Sequence, residues 1–117
     1  FPHNIKEIRG LEINRILNDT KLLENAGAFS IVLECVETTL SKQITKNIKI
    51  PTIGIGSSSN CDGQVLVIDD LIGMSDSKFK FVKKYVDLSR IINSAVKKYK
   101  NEVKNKQFPR AKHSFAN

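Results

Sequence analysis

The stretch FSIVLECV, residues 29–36, decides the fold class of this chain. Apart from Ser30 and Glu34 it is apolar, and β-branched or bulky side chains dominate it. Runs of this kind are typical of parallel strands that are covered on both faces. Because side chains alternate along a strand, Glu34 shares a face with Ser30 and Val32. The opposite face carries Ile31, Leu33 and Cys35.

Glu34 is the single acid of this predicted strand. Burying a carboxylate without a partner is strongly unfavourable, so such a group is normally paired, neutralised or functional. The residues alone leave two interpretations open. Glu34 is either a structural acid held by a lysine or by backbone amides, or a general base. A semi-apolar pocket would raise the pKa of such a base towards the working pH and help it to accept a proton.

Helices and strands alternate on either side of this stretch. Apolar spacing predicts a first helix that stops at Gly27, where glycine suits the left-handed conformation. A second helix is predicted to begin with Thr38 or Thr39 as its N-terminal cap. Beyond Gly73 the pattern is typical of helices only. The predicted elements are helix 11–25, strand 29–36, helix 38–48, strands 51–56 and 64–69, and helices 78–86 and 88–106.

This order of elements predicts an α/β fold with right-handed parallel crossovers, and 117 residues allow at most one domain. Only about seven residues separate the second and third strands, so either the crossover is a minimal turn of helix and the third strand is parallel, or the third strand is antiparallel. Three strands cannot close a barrel, and an exposed apolar edge favours aggregation. We therefore expect the chain to be a piece of a larger sheet or to pair with another chain.

The formal net charge is +7, and twelve of the nineteen Lys and Arg residues lie between Lys78 and Lys112. They are interleaved with apolar residues at helical spacing, which is typical of a solvated helix face. A funnel for an anionic substrate and a nucleic-acid surface are the alternatives. No apolar run reaches about 18 residues and no signal peptide opens the chain, so we expect a cytoplasmic protein without a membrane partner. Cys35 is predicted to be a small core residue, and its spacing from Cys61 gives no disulfide framework.

Polar residues follow the first two predicted strands, at the end where parallel α/β sheets bind ligands. Glu34 lies at the first of these ends. Gly56, Ser57 and Ser58 lie at the second, and their backbone N–H groups could bind an anionic substrate. The alternative for this loop is an ordinary tight turn.

The third predicted strand ends in two acids, Asp69 and Asp70. Carboxylate oxygens at a strand end could bind a divalent cation. Neighbouring strand residues point to opposite faces, however, so at most one of these acids would face a site. The pair Asp62-Gly63 is typical of a turn.

Several stretches, taken in order, resemble the C-terminal part of ketopantoate hydroxymethyltransferase. They are IVLECV (31–36), IPTIGIG (50–56), CDGQVLV (61–67) with the D-L-x-G ending DDLIG (69–73), KFVKKY (80–85) and HSF (113–115). The order and spacing of these stretches match that family from about Leu22 to Phe115.

The resemblance implies a (β/α)₈ barrel of the phosphoenolpyruvate mutase/isocitrate lyase type. Residues 1–75 would form the last βα units of the barrel, and 76–117 would form the C-terminal helices and tail. It also implies transfer of a hydroxymethyl group from 5,10-methylenetetrahydrofolate to 2-oxoisovalerate, which gives ketopantoate for pantothenate synthesis. The glutamate of the family's LEC stretch is its catalytic base, and here that residue is Glu34. Finally, the resemblance implies Mg²⁺, with ligands outside this chain, and a homo-oligomer.

The chain departs from the family pattern at four places, one of which is a shorter segment joining Lys6–Gly10 to the first helix. Ser57-Ser58 stands where Ala-Gly is usual, Asp69 where a histidine is frequent, and Glu37 where proline is usual. We expect the chain by itself to be inactive, because the family's metal-binding half is absent from it. The alternative functions are a basic non-enzymatic module that binds RNA or protein, and an inactive remnant of the enzyme.

Overall fold

A computed structural model of the protein describes residues 10–115. These residues form two compact units, 10–67 with 78–82 and 68–77 with 83–115. The first unit contains α1 (Gly10–Asn25), β1 (Ile31–Glu34), α2 (Thr38–Asn47), β2 (Thr52–Ile55) and β3 (Gly63–Gln64). The second contains α3 (Ile68–Leu71), α4 (Leu88–Lys104) and a 3₁₀ helix, Ala111–His113. The predicted α/β architecture is confirmed.

The three strands form one parallel sheet in the order β1-β2-β3. This settles the direction of the third strand, which the sequence left open. The connection from β2 to β3, residues 56–62, contains turns and bends but no helix. The third strand is therefore parallel, but the minimal turn of helix that was predicted to accompany this direction is absent.

The third strand is much shorter than predicted. The prediction of strand 64–69 is wrong in extent, because β3 comprises only Gly63–Gln64 and its pairing ends where the Val65 N–H donates to the Gly54 carbonyl at 3.0 Å. The next residues turn into α3, whose first turn contains Asp69 and Asp70. Acidic side chains are favourable in the first turn of a helix, so the local sequence favours a helix there over a strand end.

The end of α1 has the predicted left-handed stop. Gly27 has a φ of +96°, and its N–H donates to the Glu24 carbonyl while that of Ala28 donates to the Leu23 carbonyl. This pair of hydrogen bonds is a Schellman motif, which satisfies carbonyls that the helix end leaves free.

The cap of α2 differs from the prediction. The capping residue is Glu37, rather than Thr38 or Thr39, and its carboxylate accepts hydrogen bonds from the Thr39 and Leu40 N–H groups, both at 2.9 Å. A carboxylate at a helix N-terminus satisfies free N–H groups and interacts favourably with the helix dipole. Glu37 thus starts this helix.

Strand β1 is covered on one face only in residues 10–115. Leu33 is 4% exposed, whereas Val32 is 59% exposed and Glu34 is exposed as well. The predicted alternation is confirmed, but the expectation that both faces would be buried is wrong for this chain. The core of the first unit consists of Ile31, Leu33, Leu40, Ile44, Ile48 and Cys61, with Ile13, Ile16, Leu17, Val36 and Ile50 packed against it.

Cys61, and not Cys35, is the buried cysteine. Cys61 belongs to the core, whereas Cys35 is only half-buried, and both are free thiols. The prediction that Cys35 is a core residue is wrong because β1 ends at Glu34 and Cys35 has a φ of +53°. A left-handed residue no longer follows the alternation of the strand.

The helix predicted over 78–86 is absent, and the chain there is irregular. Phe79 and Phe81 stack with their ring centroids 5.5 Å apart. The Val82 N–H donates to the Phe79 carbonyl at 3.0 Å, so a single turn stands where a helix was predicted.

Helix α4 agrees with the prediction of 88–106 to within two residues. The Asp87 side chain caps it by accepting a hydrogen bond from the Arg90 N–H, and none of its residues is buried. Its apolar stripe is exposed and comprises Ile91, Ile92, Val96, Tyr99 and Val103. None of the helices within 10–115 has the length and apolar character that crossing a membrane requires.

Candidate active site

Glu34 lies at the carboxyl end of β1, beside the end of β2. It is in register with Ile55, and the pairing continues one residue further, where the Cys35 N–H donates to the Ile55 carbonyl at 2.9 Å. The Glu34 side chain is exposed and makes no hydrogen bond or ion pair with any residue of 10–115. The structural interpretation requires a lysine or backbone amides that hold the Glu34 carboxylate. No residue of 10–115 provides such a partner.

The hydroxyl of Ser57 connects the loop after β2 to the end of β1. It donates to the Leu33 carbonyl at 2.7 Å, and its oxygen accepts from the Val36 N–H at 3.1 Å. Leu33 and Val36 are the residues on either side of the Glu34-Cys35 pair. No local pattern in the sequence predicts this contact, because the partners are 24 and 21 positions away from Ser57.

Ser58 is engaged within its own loop. It is 2% exposed, and its hydroxyl oxygen accepts hydrogen bonds from the backbone N–H and the side-chain amide of Asn60. Its carbonyl accepts from the Gln64 side chain at 2.9 Å. These bonds are typical of a closed polar turn.

Gly56 begins this loop with a φ of +63°, and a Cβ atom there would lie 3.0 Å from the ring of Phe81. Glycine is therefore required by the backbone and by the neighbouring ring. The predicted contacts of Gly56, Ser57 and Ser58 with a substrate stay a prediction.

Asp62 fixes the other end of the loop. Its carboxylate accepts from the backbone N–H and the hydroxyl of Thr52, at the start of β2. The sequence indicated only a turn at Asp62-Gly63, because the contact joins residues ten positions apart. The loop from β2 to β3 is thus held at both ends by side-chain hydrogen bonds.

Asp69 and Asp70 do not lie at a strand end, so that expectation is wrong. They belong to α3 in the second unit, where Asp69 is exposed and Asp70 is buried and accepts a hydrogen bond from the Ser75 hydroxyl. Within residues 10–115 no group of three or more His, Cys, Asp or Glu side chains could hold a metal ion.

The second unit has a polar cleft of about 480 Å³ beside the start of α4. Three basic and two acidic side chains line it, so its positive charge is partly balanced. These are Lys84, Arg90 and Lys97 with Asp76 and Asp87. The basic C-terminal segment is therefore not a surface of one sign here.

Comparison with known proteins identifies the family. A family model described as ketopantoate hydroxymethyltransferase matches residues 5–111. The chain is 57% identical, over 115 residues, to the 3-methyl-2-oxobutanoate hydroxymethyltransferase of Pelagibacter ubique, covering 98% of this chain and 44% of that protein. It is also 57% identical to the enzyme of Carboxydothermus hydrogenoformans and 48% identical to that of Syntrophus aciditrophicus, with 97% of this chain and 45% of each relative covered.

The chain thus spans less than half the length of the curated relatives it matches. The matched range contains every α-helix and strand of both units, so the basic helix α4 lies within the family's own sequence. The resemblance that the ordered stretches indicated is confirmed, and this chain belongs to the ketopantoate hydroxymethyltransferase family.

Proposed function

We propose that this chain is the C-terminal portion of an enzyme that transfers a hydroxymethyl group from 5,10-methylenetetrahydrofolate to 2-oxoisovalerate, giving ketopantoate for pantothenate synthesis. In this proposal Glu34 is the general base. The single observation that carries it is the position of Glu34. Its carboxylate lies at the carboxyl end of a parallel strand and makes no hydrogen bond or ion pair within residues 10–115. Family membership, which covers residues 5–111, supports the reaction class.

The geometry of the first unit supports the assignment in two ways. Ligands of parallel α/β sheets bind at the carboxyl ends of the strands, which is where Glu34 lies. Moreover, neither the core nor a cap uses its carboxylate in residues 10–115, so no contact there opposes a role in proton transfer. Glu37 is the contrast, because both of its carboxylate oxygens accept bonds from the start of α2.

The chemistry that Glu34 would perform is proton abstraction next to a ketone. The carboxylate takes the hydrogen from C3 of 2-oxoisovalerate, and the electron pair of the broken C–H bond forms the enolate. A new bond then joins C3 to the one-carbon unit, tetrahydrofolate leaves, and water supplies the oxygen of the new hydroxyl group. The Mg²⁺ ion that the family resemblance implies would stabilise negative charge on the keto acid, and its ligands would have to come from outside residues 10–115.

The exposed face of the sheet would line the inside of a barrel in this proposal. Val32 and Glu34 lie on that face in β1, and Ile53 and Ile55 lie opposite them in β2. Residues that share a register in parallel strands share a face. A further set of strands would cover Val32 and leave Glu34 at the mouth, where a semi-apolar setting favours a base.

The test is Glu34→Gln in the complete protein that contains this chain. We expect turnover to fall at least about 100-fold, since general-base catalysis is worth about 10² to 10⁴. Hydrogen–deuterium exchange at C3 of 2-oxoisovalerate, followed by NMR without folate, should slow by a similar factor. Glu12→Gln is the matched control, because Glu12 is an exposed acid of α1, and it should leave both rates unchanged. Exchange at the wild-type rate in Glu34→Gln would refute the assignment.

A further inference from the structure

We infer that Ser57 is a positioning residue for Glu34, one that fixes the backbone from which the carboxylate projects. The inference rests on the proposed function of Glu34 and adds a residue that the sequence suggested only as a substrate contact. Ser57 stands where the family pattern usually has alanine, so the inferred role belongs to this chain and not to the family as a whole. It is carried by the two hydrogen bonds that place the Ser57 hydroxyl between Leu33 and Val36.

The Ser57 hydroxyl donates one of the two bonds and accepts the other. A serine hydroxyl has a single proton, and here that proton is directed at the Leu33 carbonyl at 2.7 Å. The oxygen then accepts from the Val36 N–H at 3.1 Å. The carbonyl of one residue and the N–H of the third residue after it are the groups that a β-turn joins directly. Ser57 thus stands in the place of the closing hydrogen bond of a turn over residues 33–36.

The turn needs this support because of its backbone conformation. Cys35 has a φ of +53°, a region that residues other than Gly, Asn and Asp seldom adopt and that persists only when surrounding contacts impose it. The two bonds of Ser57 and the bond from the Cys35 N–H to the Ile55 carbonyl at 2.9 Å join this turn to β2 or the loop after it. The Ser41 hydroxyl of α2 also donates to the Val36 carbonyl at 3.2 Å.

Glu34 depends on this turn because its own side chain has no partner in residues 10–115. Its backbone alone sets the origin of its carboxylate, and Ser57 holds that backbone on both sides of the Glu34-Cys35 pair. Loss of the hydroxyl would remove one donor from the Leu33 carbonyl and the acceptor of the Val36 N–H, and would let the turn relax. A small displacement of a catalytic group strongly reduces turnover while leaving substrate binding nearly intact.

The neighbouring serines supply the contrast. The Ser58 hydroxyl bonds only within its own loop, to Asn60. Ser59 is exposed and its hydroxyl has no hydrogen-bond partner in the part of the chain that the structure describes. Of these three adjacent hydroxyls, only that of Ser57 reaches β1, and Ser59→Ala is therefore the matched control.

The experiment compares Ser57→Ala, Ser57→Thr and Ser59→Ala in the complete protein. We expect Ser57→Ala to lower kcat about 10- to 100-fold with little change in the KM for 2-oxoisovalerate. Ser57→Thr keeps a hydroxyl and should recover most of the rate, and Ser59→Ala should match wild type. Circular dichroism checks that each variant is folded. If Ser57→Ala does not fold, Ser57→Cys, which keeps the size but bonds weakly, replaces it in the same comparison.

A second arm separates positioning from general destabilisation. In a Glu34→Gln background, Ser57→Ala should cause no further loss of the residual exchange at C3, because the group it positions is already inactive. Wild-type kcat in Ser57→Ala, or an equal loss in both backgrounds, would overturn the inference while leaving the role of Glu34 intact. A wild-type protein that forms no ketopantoate would instead contradict the proposed function.

Discussion

Asp62 and Thr52 bind each other in both directions across the loop between β2 and β3. The Thr52 N–H donates to Asp62 Oδ2 at 2.9 Å, and the Thr52 hydroxyl lies 3.2 Å from the same oxygen. In return, the Asp62 N–H donates to the Thr52 hydroxyl oxygen at 3.2 Å. Thr52 is fully buried, so this exchange satisfies polar groups that water cannot reach.

Asp62→Ala is therefore expected to lower the free energy of unfolding by about 2 kcal/mol, because the buried Thr52 N–H loses a charged acceptor. The Thr52 hydroxyl keeps the Thr45 hydroxyl as a partner at 2.8 Å. Asp62→Asn retains an oxygen acceptor and should be less destabilising. Urea titration of the complete protein, with both variants compared with wild type, measures the difference. Equal stability of Asp62→Ala and wild type would show that the hydrogen bonds between Asp62 and Thr52 contribute nothing to the free energy of unfolding.

Glu37 should give α2 a stability that depends on pH. The hydrogen bonds from the Thr39 and Leu40 N–H groups hold the pKa of Glu37 below its ordinary value of 4.5. The ionised form is thus favoured in the folded chain, so its stabilisation is present above pH 4.5 and is lost as the pH falls through the lower, folded-state pKa.

The measurement is the difference in urea midpoint between wild type and Glu37→Ala at neutral pH and at a pH below the folded-state value. We expect the difference in urea midpoint between wild type and Glu37→Ala to become smaller at the lower pH. Glu37→Asp, which keeps a carboxylate suited to an N-terminal cap, is the control and should retain the pH dependence. A difference of the same size at both pH values would contradict the capping role.

Gly56 and Gly27 form a matched pair for testing the Phe81 contact. Both have positive φ, but a Cβ atom at Gly27 would meet nothing within 4 Å, whereas one at Gly56 would lie 3.0 Å from the Phe81 ring. Gly27→Ala should cost about 1–2 kcal/mol for the left-handed backbone alone. Gly56→Ala should cost about 1–3 kcal/mol more, through overpacking. Adding Phe81→Leu to Gly56→Ala should recover part of the stability lost through overpacking. If this double-mutant cycle shows no recovery, the Phe81 ring is excluded as the cause of the extra loss.

The 117-residue chain alone is expected to form no ketopantoate. It covers 44% of the Pelagibacter ubique relative, and barrels of the proposed type need about 200 residues or more. The assay supplies 2-oxoisovalerate, methylenetetrahydrofolate and Mg²⁺, with the complete protein at equal concentration as the positive control. Turnover by the isolated chain at a comparable rate would refute the proposal that it is one portion of the enzyme.

The sequence predicted the elements whose pattern is long or strongly periodic. Helices α1 and α4 were predicted to within two residues at each end, because their apolar stripes repeat over several turns. The segment 78–86 was misassigned because its length is short. The third strand was overextended because apolar residues before Asp69 read equally well as strand or as the approach to a helix.

The site was predicted only where it follows from local alternation. That rule put Glu34 on the face of β1 opposite Leu33, as the structure has it. The contacts of Ser57 with β1 and of Asp62 with Thr52 depend on how distant segments meet, and no spacing in the chain indicates them. The left-handed Cys35 was missed for a related reason, since nothing in LEC is typical of positive φ.

The conformation of Cys35 has a consequence for thiol labelling. Because its φ of +53° suits Gly or Asn, replacing Cys35 by either is the least disruptive way to remove an accessible sulfur from this chain. The remaining Cys61 is 8% exposed, so maleimide would reach it slowly. A cysteine then placed on the surface could carry a fluorophore in this region almost without background.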